Sequence, residues 1–203
     1  MTLEEKEKFF LYELDGEGLD FAKIFGNKQP VHLEIGSGRG EFITEIAILE
    51  PETNFLGLEL KQKRIKTILK KLDPERHTNL RLLMVKVDDQ MLKMIPSRSV
   101  ERFYIFHPDP WPKKKHHKHR LIQTGFLQEL NIVLEDGGEV LITTDHENYM
   151  RWIVKHFQQS GLFDLEHEEG FSREPFEGHI ETHFEQKLKK KGYPPFYMRF
   201  RKR

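Results

Sequence analysis

Apolar positions along this chain follow two periods in turn, and the switch between them recurs often enough to set an architecture. Val31-His32-Leu33-Glu34-Ile35, Phe55-Leu56-Gly57-Leu58-Glu59-Leu60, Leu80-Arg81-Leu82-Leu83-Met84-Val85, Val100-Glu101-Arg102-Phe103-Tyr104-Ile105-Phe106 and Glu139-Val140-Leu141-Ile142-Thr143 read as short strands. Between them apolar residues recur at helical spacing: Phe42, Ile43, Ile46, Ala47 and Leu49, then Ile65, Ile68, Leu69 and Leu72, a short stretch to Ile95, and a run from about Leu121 to Leu134. Asp136-Gly137-Gly138 reads as the turn before the fifth strand, and Tyr149, Trp152, Ile153 and Phe157 pattern another helix. Gly161 to Leu165 predicts a further strand, and the alternation of Phe196 to Arg201 a last one with a basic, exposed face. Strands alternating with helices predict a parallel, doubly wound α/β sheet. The first thirty residues predict one or two covering helices with Phe9, Phe10 and Leu14 as the apolar stripe.

A length of 203 residues predicts one domain over 1–203, with 1–30 as a covering segment and 31–203 as the core. The absence of cysteine excludes disulfides, thiolate metal sites and cysteine nucleophiles. With a charged rather than signal-like start and no long apolar run, the expectation is a soluble cytoplasmic protein, monomer or homodimer, without a membrane span. Thirty-three basic and 33 acidic side chains cancel, but unevenly. Met1 to Leu60 is acidic, whereas the tail from Gln186 carries Lys187, Lys189, Lys190, Lys191, Arg199, Arg201, Lys202 and Arg203 with no acid. Local patches, more than the total, decide whether a nucleic acid is a partner.

Candidate chemistry lies in a few segments. The turn Glu34-Ile35-Gly36-Ser37-Gly38-Arg39-Gly40 joins a strand to a helix, where a ligand can approach the backbone closely. Glu41 stands where the dinucleotide fingerprint needs its third glycine, and no Gly-Lys-Ser/Thr follows, so nicotinamide and phosphate-loop readings are disfavoured. A carboxylate at Glu34 suits a cationic, amino-bearing ligand, and Glu59, ending the second strand, suits a ribose diol. The alternative is a glycine turn needed for packing and a surface charge at Glu59. Phe106-His107-Pro108-Asp109-Pro110-Trp111-Pro112 sets one carboxylate on a stiff loop outside the carboxyl end of the fourth strand, where open α/β sheets bind ligands; prolines that merely stop a strand, with Trp111 as a core cap, are the bland reading. Lys113 to Arg120 adds five fixed positive charges, which read as a nucleic-acid phosphate contact against a solvated helix entry, or a histidine metal site lacking any acid or cysteine at ligand spacing. Asp145 ends the fifth strand on the same sheet edge, or caps the next helix; Thr182 and Glu185 have capping-box spacing.

Together Glu34-Ile35-Gly36-x-Gly38-x-Gly40-Glu41-Phe42, Pro108-Asp109-Pro110-Trp111-Pro112-Lys113-Lys114, Thr144-Asp145 and Thr182-x-Phe184-Glu185-x-Lys187 resemble the bacterial tRNA (guanine-N7)-methyltransferase family from about Val31 to the end. The resemblance implies a Rossmann-like, doubly wound, seven-stranded sheet of the class I S-adenosylmethionine methyltransferase type. It implies S-adenosylmethionine as cofactor, with Glu34, Gly36, Gly38, Gly40, Glu59 and Asp109 around it, and tRNA as partner, with no metal. Where the family has aspartate-alanine after the third strand, this chain has Lys86-Val87, and Asp88, Asp89 or backbone groups substitute in gripping the adenine. By the same resemblance Asp109 is the carboxylate at the reaction centre, while Lys113, Lys115, Asp145, Thr182, His183, Phe184 and Glu185 bind the substrate, a guanine at variable-loop position 46. Lys115 replaces a family arginine and cannot make its bidentate contacts. An amino-group methyltransferase and a non-catalytic RNA-binding protein of the same fold are the rival readings; cofactor binding separates the second, and the nitrogen methylated separates the first.

Overall fold

The computed structural model describes every residue except Asp15 and Glu17, and leaves out the side chain of Asp89. Its strands are β1 (Leu11–Tyr12), β2 (Val31–Ile35), β3 (Asn54–Glu59), β4 (Leu80–Met84), β5 (Val100–Phe106), β6 (Leu134–Thr144), β7 (Phe163–Leu165) and β8 (Phe196–Lys202). They form one sheet in the order β1-β4-β3-β2-β5-β6-β8-β7. The first six are parallel, and β8 runs antiparallel between β6 and β7. The sheet therefore has eight strands rather than seven. The addition is β1, a two-residue strand that covers the edge of β4 and is too short to show any period in sequence.

The helices are α1 (Leu3–Phe10), α2 (Phe21–Phe25), α3 (Glu41–Leu49), α4 (Gln62–Lys71), α5 (Asp89–Leu92), α6 (Thr124–Val133), α7 (Glu147–Ser160) and α8 (His183–Lys190). One apolar cluster joins Phe10 of α1, Phe42, Ile43 and Ile46 of α3 and Ile65, Ile68 and Leu69 of α4 to Phe55, Leu80 and Leu82 of the sheet. The other joins α2, α6 and α7 through Phe25, Leu127, Leu130, Ile153 and Phe157. Covered on both faces, β2 and β3 are buried at every position, which is why neither alternates. Of the expected N-terminal stripe, Phe10 is fully buried while Phe9 stays exposed.

Two details differ from the expectation. Asp136-Gly137-Gly138 lies inside β6, whose Leu134 already pairs with Val100 before the register shifts and resumes at Glu139 opposite Arg102. The basic face of β8 is neutralised: Arg199 and Arg201 both reach Glu139, at 4.0 and 2.9 Å, and Arg199 also pairs with Glu166.

From β2 the chain winds through β3 to β4 at one side, then returns to continue through β5 and β6 at the other. The winding reverses between β2 and β5, so a crevice opens outside their carboxyl ends, the place where such sheets bind ligands.

Candidate functional site

The loop after β2 forms the floor of that crevice. Gly36, Gly38 and Gly40 have φ of +80°, +56° and +73°, and a side chain at Gly40 would strike Ile68 of α4 at 2.8 Å. Above Gly36 nothing stands within 4 Å of where a Cβ would sit, so a ligand can reach the backbone. Glu34 is only 5% exposed, and its Oε2 has no hydrogen-bond partner. Burial, only partly offset by the Ser37 hydroxyl and reinforced by the nearby Glu59 charge, pushes the Glu34 carboxyl up to about 7. A buried carboxylate left unpaired is costly in the free protein and ready for a cationic ligand. Glu59, 3% exposed, accepts hydrogen bonds from Gly38 N and Lys61 N, each 2.9 Å, and from Arg64 at 3.3 Å. It thereby ties the glycine loop to the start of α4. Asp88 caps α5 by accepting from Met91 N and pairs with Lys86 at 3.4 Å, so Lys86 is itself held by an acid. The Asp89 side chain lies outside the described residues.

Across the crevice the Asp109 loop leaves β5. His107 and Trp111 adopt left-handed φ of 48° and 42°, costly for residues with a side chain. Several contacts fix them. His107 N donates to Thr143 O, and the His107 ring meets Asp145 at 3.3 Å, which holds the Asp145 carboxyl below its usual range. Trp111 lies against the His116 and His119 rings, 5.8 and 5.2 Å between centroids. Arg120, 2% exposed, donates from Nε to Pro110 O and from Nη2 to Asn148, and lies over Tyr149 and Trp152. It is a brace for the loop rather than a phosphate contact, so four lysines of the basic run remain outward: Lys113, Lys114, Lys115 and Lys118, all exposed. Asp109 itself projects to solvent.

The segment before β8 closes over the same end of the sheet. Phe184, half exposed, packs on His107 at 5.0 Å, which joins it to Asp145. Exposed His183 donates its backbone N–H to Glu41 at 2.8 Å, linking the start of α8 to the start of α3. Thr182 caps α8 by accepting from Glu185 N. The Glu185 carboxylate, expected on the substrate side, points inward instead: 1% exposed, it is held by His179 at 2.7 Å, Lys189 at 3.0 Å and the Tyr197 hydroxyl. Burial alone would raise its carboxyl, but the bonds from His179 and Tyr197 and the positive charge nearby bring it to about 2. Beside Asp145 opens a cleft of about 650 Å³ lined by Asn148, Arg151, Arg173 and Tyr193, with the Arg173 guanidinium 3.5 Å above the Phe196 ring. Nothing in the local sequence marks Arg173, Glu41 or Arg120 for these positions, since each depends on a partner distant in the chain.

The basic tail is neutralised in part: Lys187, Lys190 and Lys191 stay exposed without an acid partner among the described residues, and the other five cations are paired. Lys189, Arg199, Arg201, Lys202 and Arg203 are paired with Glu181 and Glu185, Glu166, Glu139, Asp136 and Asp164 respectively. Among the described residues no group of three or more His, Asp or Glu could hold a metal ion, and no helix is long and apolar enough to cross a membrane.

A parallel sheet with its winding reversed at a glycine loop, and carboxylates at the ends of β2, β3, β5 and β6, defines a class I methyltransferase fold. The solved 16S rRNA methyltransferase KamB shares that fold with a TM-score of 0.63 at 14% identity, over 95% of this chain and 98% of its own. Residues 28–198 match the model of a family described as putative methyltransferase. The tRNA (guanine-N(7)-)-methyltransferase of Geobacillus sp. strain WCH70 is 37% identical over 85% of this chain and 82% of its own length. That of Thermotoga maritima is 38% identical over 91% of this chain and 58% of its own. The chain belongs to the tRNA (guanine-N7)-methyltransferase family.

Proposed function

We propose that this chain transfers a methyl group from S-adenosylmethionine to N7 of a tRNA guanine, the one at position 46 of the variable loop, as a single catalytic domain working in the cytoplasm. One observation carries the reading: the buried, unpartnered Glu34 Oε2 beneath an open glycine loop at the switch point of the sheet. Such a group fits the ammonium end of S-adenosylmethionine and would repel a pyrophosphate. Gly36 and Gly38 let the ligand lie on the backbone, Glu59 has the capacity to accept from ribose hydroxyls, and Asp88, capping α5 in the loop after β4, is the candidate acceptor for the adenine. When bound, S-adenosylmethionine supplies an electrophilic methyl on its sulfonium.

Guanine N7 carries a lone pair and no proton, so the protein needs to align the base rather than deprotonate it. Asp109 accepts hydrogen bonds from the N1 and amino edge of the guanine and offsets the positive charge that grows on the purine. Asp145, steadied by His107, offers a second acceptor on that edge, while Phe184 and His183 border it. Lys113 and Lys115 meet RNA phosphates as point charges. Glu185 and Thr182 act at one remove by holding α8 in place.

The test is transfer of labelled methyl to two tRNA transcripts, one with guanine and one with adenine at position 46, followed by nucleoside identification. Label recovered as 7-methylguanosine from the first alone is the expected result; label on an exocyclic nitrogen, or none with cofactor bound, overturns the reading. Asp109→Asn is expected to lower turnover on the order of 10²-fold while cofactor affinity changes a few-fold. Wild-type turnover in that variant would remove Asp109 from the mechanism.

A further inference from the structure

A row of cations left largely unpaired lies on α4, a helix the chemistry above does not use. Lys61, Lys63, Arg64, Lys66, Lys70 and Lys71 fall within eleven residues that contain no acid. Ile65, Ile68, Leu69 and Leu72 are buried on the opposite side, so Lys63, Lys66 and Lys70, spaced three and four apart, share the outward stripe. All three are exposed. Among the described residues, Arg64 alone of the six cations has an acid partner, Glu59 at 3.3 Å. The neighbouring helix α1 makes no ion pair with the row among the described residues: Glu4 pairs with Lys8, Glu5 closes the cap at Thr2, Glu7 forms no salt bridge to an α4 lysine, and Lys6 donates to the Leu72 carbonyl. Compared with the tail, where five cations have acids, this is a surface whose charge is left for an outside partner.

Its place gives that partner. α4 begins shortly beyond Glu59, and its Ile68 packs against Gly40, so the helix starts at the cofactor crevice and runs down the side of the molecule. From Lys63 to Lys70 the row extends about 10 Å, at 1.5 Å per residue. A polyanion that enters the crevice at one point and has length to spare fits this arrangement, and an isolated nucleotide does not reach along it. We infer that the outward face of α4 is a second tRNA-binding surface, on which Lys63, Lys66 and Lys70 engage backbone phosphates of the RNA away from the methylated base. The inference rests on the tRNA reading above.

The experiment compares two triple variants of the full chain, each with three fewer positive charges. One is Lys63→Gln, Lys66→Gln and Lys70→Gln; the other is Lys28→Gln, Lys93→Gln and Lys155→Gln, three exposed lysines far apart in the chain. Dissociation constants for a tRNA transcript are measured between about 50 and 200 mM salt, where phosphate neutralisation controls affinity. The α4 variant is expected to bind about tenfold more weakly at the low end, and its slope of log affinity against log salt to fall by about 2, given roughly 0.7 for each phosphate no longer neutralised. S-adenosylmethionine affinity equal to wild type serves as the check that it is folded, and its loss of activity is expected in KM for tRNA. Affinity and slope matching those of the control variant overturn the proposal and leave the methyltransferase reading standing. If the wild-type protein shows no affinity for tRNA, both readings fall together.

Discussion

Two buried glutamates, one on each side of the crevice, face opposite energetic situations. Glu34, under the glycine loop, has an oxygen with no partner and a carboxyl pushed up to about 7. Glu185, in the first turn of α8, is also buried yet brought down to about 2, because His179, Tyr197 and Lys189 surround it. Burial is common to both; the difference is whether the protein itself supplies the donors. A saturated buried carboxylate belongs to the architecture. One left unsatisfied is a destabilising feature, which the proposed cofactor would complete.

The contrast can be broken most severely at Glu185. Glu185→Leu strands two buried donors, His179 and the Tyr197 hydroxyl, and is expected to lower unfolding free energy by about 3 kcal/mol in a denaturant titration; a loss below about 1 kcal/mol would show that the network is not structural. Glu34→Gln is expected to do the reverse. The free protein stays as stable or gains, while S-adenosylmethionine affinity by calorimetry falls by about 2 kcal/mol, the loss of a charged hydrogen bond. Equal affinity in that variant would remove the ammonium from Glu34.

Acid–base linkage sharpens the same pair with opposite signs. Glu34 keeps its proton in the fold to about pH 7, whereas the unfolded carboxyl releases it near 4.5, so the free protein loses stability as pH rises through that window, and Glu34→Gln flattens the profile. For Glu185 the folded value lies below 4.5, so its contribution is complete above that pH and disappears as pH falls towards 2. The smallest effect is expected at the link between the two sides: Glu41→Gln weakens its contacts to His183 and costs under about 1 kcal/mol, with a few-fold rise in KM for tRNA. An unchanged KM would mean that the two sides work independently.

The parts of the site legible in sequence are those built from neighbours in the chain. The glycine loop and Glu34 lie within seven residues, and Asp109 is framed by its own prolines, so strand, turn and carboxylate are visible together. The spacing of Thr182 and Glu185 marks a cap, and a cap is what Thr182 forms. What escaped depends on distant partners: the inward turn of Glu185 needs Tyr197, the burial of Arg120 needs Tyr149 and Trp152, and the pairing of Arg199, Arg201, Lys202 and Arg203 needs Glu166, Glu139, Asp136 and Asp164. The short strand β1 escaped for a related reason, because two residues carry no period and pair only once β4 is present.

By itself, then, the sequence determined the alternation of strands and helices, the position of the glycine loop and the loop that carries Asp109, since hydrophobic period and backbone preference act over a few residues. Only the tertiary structure decided which charges stay free. It paired five cations of the tail, turned Arg120 and Glu185 inward, left Glu34 Oε2 unsatisfied and left the lysines of α4 facing outward, because Coulomb interaction and desolvation depend on distance in space and not on separation along the chain.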